Sequence, residues 1–159
     1  MQNQMLQKAR ANIDAKVKPQ DKNAYDRIVL AGMKIMFDKS MNQTLLQGLQ
    51  NAPDKIAMAA EGIVGILGLL YKESRNTMPV TPMIMAGMSL LIEALAFMEE
   101  AGIVQVDPAA LDKATQHYMD TLLPKLGINQ QTMTNVLNKT QQTVQDPQKM
   151  AMIQQNMGG

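Results

Sequence analysis

The sequence predicts an all-α protein, an antiparallel helical bundle around a central apolar helical hairpin with extended terminal helices. Three observations lead there. Apolar residues recur at three-and-four spacing along much of the chain. Pro preceded by a capping residue, and Gly followed by an apolar residue, punctuate it as helix starts and stops. Strand-like alternation is confined to Ile103-Val104-Gln105-Val106, which lies between a Gly stop and an Asp-Pro start and reads as an extended connection.

Taken in order, a helix is expected over about 2–17 and a second over 21–38. The second carries Tyr25, Ile28, Val29, Gly32, Met33, Ile35, Met36 and Phe37 as an apolar stripe opposite Asp26, Lys34 and Lys39. A short helix follows at 41–50, and a longer one at 53–73 that would begin at Pro53. Thr81-Pro82 opens a helix over 82–101, closed by Gly102-Ile103. Asp107-Pro108 opens one over 108–123, with Leu111, Ala114, Thr115, Tyr118 and Leu122 on one face, closed by Gly127-Ile128. Polar helices at 130–145 and, after Asp146-Pro147, 148–156 complete the reading. From Ile56 to Tyr71 the only charge is Glu61, and from Met83 to Met98 the only charge is Glu93. Helices so apolar must be covered on several sides. The chain thus divides into an N-terminal helical arm (1–20), a helical core (21–127), and C-terminal polar helices with a flexible tail (128–159).

Composition narrows the chemistry. A chain of 159 residues is one domain's worth, and 46% hydrophobic with 18% charged residues at a net charge of +1 fits neither global disorder nor nucleic-acid wrapping. With 16 Met and no Cys or Trp, disulfides, thiolate zinc sites and cysteine nucleophiles are excluded. The single His117 excludes multi-His metal sites, and a hydrolytic triad would need it beside Ser40, Ser74 or Ser89. Met1–Lys18 lacks the apolar run of a signal peptide, so secretion by that route is not expected, and no lipidation motif ends the chain. Residues 1–55 hold nine Lys and Arg against five Asp and Glu, and 56–159 six against nine, an asymmetry that favours head-to-tail contacts.

Few residues offer chemistry. Glu61 and Glu93 on neighbouring helices invite a paired-carboxylate site, but di-iron bundles need a Glu-x-x-His pattern that His117 does not supply. Each Glu is expected at the narrow polar edge of its helix, meeting Lys or water, and His117 as a half-exposed helix residue. An enzyme would require Glu61, Glu93 and His117 to converge on a pocket. No catalytic, cofactor or metal residue is therefore assigned. Gly62, Gly65 and Gly68 recur every third residue, with Gly87 in the next apolar helix. Each costs about 1 kcal/mol of helix propensity relative to Ala, and close helix packing is the simplest reason to keep them. The basic residues Lys8, Arg10, Lys16, Lys18 and Lys22 lack aromatic stacking partners and are interrupted by Asp14 and Asp21, so no specific nucleic-acid binding is expected. Apolar runs of about 16 residues, each with a Glu, fall short of the roughly 20 that span a bilayer. That argues against a constitutive span and leaves conditional insertion of the hairpin as an alternative.

The Gln-rich start (Gln2, Gln4, Gln7), the apolar pair at 56–71 and 83–98, and the Met- and Gln-rich tail from Gln148 to Gly159 resemble the small helical virion proteins of tailed bacteriophages, of internal, ejection or head-to-tail type. That resemblance implies a non-catalytic structural protein of the particle, assembled in the host cytoplasm. Its partners would be further copies of itself or larger virion proteins, and some members of the group engage membranes during genome delivery. It maps no functional residue onto this chain.

Overall fold

A computed structural model describes residues 3–127, which form α1 (Gln4–Lys16), α2 (Lys22–Met36), α3 (Lys39–Asn51), α4 (Lys55–Glu73), α5 (Val80–Glu100) and α6 (Pro108–Lys125). No strand occurs among the described residues. The protein is an all-α bundle. The helices expected over 130–145 and 148–156, the Asp146-Pro147 start and the C-terminal tail lie outside the described residues. Two compact units are distinguished, Met1–Met119 and Asp120–Gly159, and the packing described below is internal to the first.

Side chains that occupy orphan backbone groups set most helix starts. Asn3 caps α1 by accepting from the Met5 and Leu6 N–H groups at 3.0 and 3.3 Å. Asp38 accepts from Ser40 N–H at 3.0 Å and starts α3, and Asp107 accepts from Ala110 N–H at 2.8 Å directly before Pro108. Four starts differ from expectation by about two residues, α1 at Gln4 and α3 at Lys39 as well as the two that follow. α4 begins at Lys55, not Pro53, because the Asp54 carboxylate accepts from Ala57 N–H at 3.1 Å while Pro53 precedes the cap. α5 begins at Val80, so Thr81 lies inside the helix and is not its cap. Pro82 is accommodated in the first turn, where its missing N–H would have had no intrahelical partner.

The expected stop at Gly102 is a complete Schellman motif. Gly102 sits at φ +73°, its N–H donates to Glu99 C=O at 3.1 Å, and Ile103 N–H donates to Met98 C=O at 2.9 Å. α4 ends in the same hydrogen-bond pattern without a glycine. Arg75 N–H donates to Lys72 C=O at 2.9 Å and Asn76 N–H to Tyr71 C=O at 3.0 Å, with φ +56° at Arg75 and +61° at Asn76. Residues 103–106 form the extended connection, and Gly127 adopts φ +70° after α6.

α5 is the centre of this unit. α1, α2 and α4 all pack on it, α2 also packs on α4, and α3 packs on α4 and α2. Ala86, Leu90, Leu91 and Leu95 of α5 are buried, each Leu contributing about 2 kcal/mol relative to an exposed side chain. α4 presents Ile56, Ala60, Ile63, Val64, Leu67 and Leu70 to the core. Expected core residues Tyr25, Ile28, Gly32 and Met36 of α2, and Ala114 and Tyr118 of α6, are likewise buried. α1 packs on α5 with Leu6 and Ile13 buried, and Arg10 between them bonds into the core as described next.

Candidate functional site

The densest polar cluster joins α1, α2 and α5. Ser89, the only buried polar residue among those described, lies on the innermost helix, where an unpaired hydroxyl would cost about 1–3 kcal/mol. It is paired. Its Oγ lies 2.6 Å from the Tyr25 hydroxyl, and since the Tyr25 proton goes to Asp14 Oδ1 at 2.5 Å, Ser89 is the donor to Tyr25. Arg10 Nη1 donates to the Tyr25 oxygen at 2.9 Å, to Ser89 Oγ at 3.4 Å and to Asp14 one turn along α1, while its Nε reaches Glu93 Oε1 at 3.3 Å. Burial, with help from Asp14, pushes the Tyr25 phenol up to about 12.

Glu93 is thus held by Arg10 on the α1 side of α5. Glu61 meets His117 instead, with Nε2–H donating to Oε1 at 3.1 Å between half-exposed to exposed side chains. The structure brings two of the three candidate enzyme residues together and commits the third elsewhere. Lys or water was expected beside each Glu; among the described residues their partners are an Arg and the His. The serines bond to groups other than His117. Ser89 is enclosed with Tyr25, Ser40 Oγ bonds Asp38 at 2.6 Å, and Ser74 Oγ donates to Tyr71 C=O at 2.7 Å. One turn before His117, Lys113 Nζ lies 2.7 Å from Asp54 Oδ2, and this bond, with the Ala57 N–H, holds the Asp54 carboxyl below its ordinary range. Among the described residues no three His, Asp or Glu are grouped closely enough to hold a metal ion.

The four glycines separate into two kinds. A Cβ on Gly87 would overlap the Tyr118 hydroxyl and Leu67, and Tyr118, fully buried, donates to Ile84 C=O at 2.9 Å and cannot easily retreat. Gly32 stands in the same relation to Leu90. At Gly62, Gly65 and Gly68, by contrast, a Cβ would meet no described atom within 4 Å. Close packing within the described chain therefore explains Gly87 but not the triplet, whose last two members lie exposed on the outside of α4. Met58, 40% exposed, and Leu69, 47% exposed, share that outer side.

A cavity of about 140 Å³ opens between α3, α4 and α5, lined mainly by apolar side chains that include Leu45, Met58, Ile63, Ile66, Phe97 and Met98. Phe97 of the lining meets Phe37 edge-on, with ring centroids 5.5 Å apart. Its lining contains no titratable side chain, and none of Glu61, Glu93 and His117 contributes to it.

Sequence reasoning missed Arg10 and Tyr25 as partners of Ser89, and Asp14 as the partner of both. The available signal was a lone Ser in an otherwise apolar helix, which must find a bond, together with an Arg-Asp pair one turn apart. Arg10 is drawn out of the basic N-terminal set by this cluster, and Lys22 lies 3.7 Å from Asp26 on its own helix. No family model, curated protein or solved structure matches the chain.

Proposed function

We propose that this chain is a non-catalytic structural protein that works through helix–helix contacts with further copies of itself or with larger partners. The resemblance drawn from the sequence supplies the setting, a tailed-phage particle assembled in the host cytoplasm. The observation that carries the reading is the two-sidedness of α4. One side buries Ile63, Val64 and Leu67, while the other shows Met58, Gly65, Gly68 and Leu69 to solvent, with nothing among the described residues against the glycines. Isolated exposed apolar residues are ordinary on a protein surface. A helix face combining two of them with two glycines, each costing about 1 kcal/mol of propensity, suits an interface better. The polar groups support the same reading, since the buried cluster spends its hydrogen bonds on joining three helices. Sedimentation velocity across a concentration series tests it: mass above 17.5 kDa is expected, and a monomer at all concentrations, alone and with purified virion partners, overturns it.

A second reading is favoured by α5, the described helix that is long and apolar enough to cross a membrane by length and composition. Its 21 residues contain the apolar run from Met83 to Met98 read from the sequence. Yet 61% of its apolar window is buried, so lipid contact would require the bundle to open. Liposome flotation distinguishes the two, because recovery of the protein wholly in the soluble fraction at all pH values removes the membrane reading.

A further inference from the structure

We infer that the outer face of α4 pairs with the same face of a second copy, antiparallel, about a two-fold axis passing between Ile66 and Leu67. The inference rests on the assembly reading above and gives it a partner and a register. At about 100° per residue, Met58, Glu61, Gly65, Gly68, Leu69 and Lys72 fall within an arc of roughly 100° on the helix. All six are exposed.

Charge selects a second copy as the occupant. Glu61 and Lys72 hold nearly the same angular position but lie about 16 Å apart along the axis, at 1.5 Å per residue, and do not reach each other within one chain. The midpoint between them is also the midpoint between Gly65 and Gly68. An antiparallel copy centred there sets Glu61 of each chain beside Lys72 of the other, twice, and Gly65 against Gly68. A parallel copy would stack Glu61 on Glu61 and Lys72 on Lys72, which like-charge repulsion opposes. With no Cβ at the crossing, the helix axes approach more closely than the usual 8–10 Å or so. A shallow crossing near 20° keeps both ion pairs within side-chain reach. His117 holds Glu61 from the α6 side at 3.1 Å and so positions the carboxylate.

The full chain without cysteine makes the register directly readable. Gly65→Cys and Gly68→Cys proteins are prepared separately, their helicity is checked by circular dichroism, and each is oxidised alone and as an equimolar mixture. The mixed disulfide is expected to form fastest. Lys72→Glu should weaken the dimer about tenfold by setting two acids together at each end, and adding Glu61→Lys to it should restore the affinity. Self-linked Gly65→Cys dimers as the dominant product overturn the inference in favour of a parallel pair. Association that is insensitive to both charge variants and yields no mixed disulfide overturns the register while leaving the assembly reading standing. A chain that stays monomeric overturns the inference, and if it floats with vesicles the face belongs to lipid.

Discussion

At the scale of single residues, glycines of like appearance do opposite things. Gly87→Ala drives a methyl group into Tyr118 and Leu67, and overpacking of that kind costs about 1–3 kcal/mol, enough to outweigh the gain in helix propensity. Gly68→Ala meets open space and should stabilise the monomer by about 1 kcal/mol. Urea unfolding of the two variants checks the contrast, and equal shifts in either direction would contradict the packing at Gly87. Tyr25 makes a second prediction. Its phenol titrates near 10.0 when unfolded and at about 12 in the fold. The stability it contributes is therefore fully present below about 10 and is lost as pH rises from there through about 12, because the unfolded chain gives up the proton first. Burial pushes the Tyr118 phenol upward too, so Tyr25→Phe should reduce the alkaline slope of unfolding free energy against pH without abolishing it.

Among the helical elements, two closing motifs share their hydrogen bonds but not the residue type at the first left-handed position. Both α4 and α5 end with the same pair of backbone hydrogen bonds, but α5 places Gly102 at positive φ and α4 places Arg75 there. A side chain in that left-handed region costs about 1–2 kcal/mol. Gly102→Ala should accordingly lower stability by about 1 kcal/mol, and Arg75→Gly should raise it by about 0.5–1 kcal/mol, part of the gain being lost to the greater freedom of an unfolded glycine. Thermal denaturation of the two variants reads both. A rise for Gly102→Ala would mean that the backbone there is free to leave the left-handed region.

For the first compact unit as a whole, the Arg10–Tyr25–Ser89 cluster decides how α1 is attached. The helix itself buries only Leu6 and Ile13, a small apolar area for thirteen residues, and isolated helices of that length are marginal in water. Arg10→Ala would leave Glu93 and the Tyr25 oxygen without their cation, at a cost of about 1–3 kcal/mol given the partial exposure of the pair. Amide hydrogen exchange should then show loss of protection first in α1, while Leu90, Leu91 and Leu95 at the centre of α5 keep theirs. Uniform loss across α1 and α5 would show instead that the two exchange as one cooperative body. The flexible Met side chains around the cavity, Met58 and Met98 among them, suit a core that fits more than one neighbour.

The sequence alone determined the six described helices, because the information for them is local. Apolar spacing, Asp-Pro starts and Gly-Ile stops act over a few residues, which is why the Asp107 cap and the Gly102 stop fall where the spacing puts them. The same local rules misplaced the starts of α4 and α5 by about two residues, since a carboxylate at Asp54 outcompetes a Pro signal and a first-turn Pro can sit at more than one position. Tertiary structure decided which face of each helix meets what. Gly65, Gly68 and Gly87 are indistinguishable in a hydropathy pattern, and only the arrival of Tyr118 from α6 makes one of them indispensable. Glu61 and Glu93 are equally lone charges in apolar helices, yet one faces His117 and the other Arg10. Contacts between residues 56 or 83 positions apart, as in those two pairs, depend on how whole helices pack, and no local spacing encodes them.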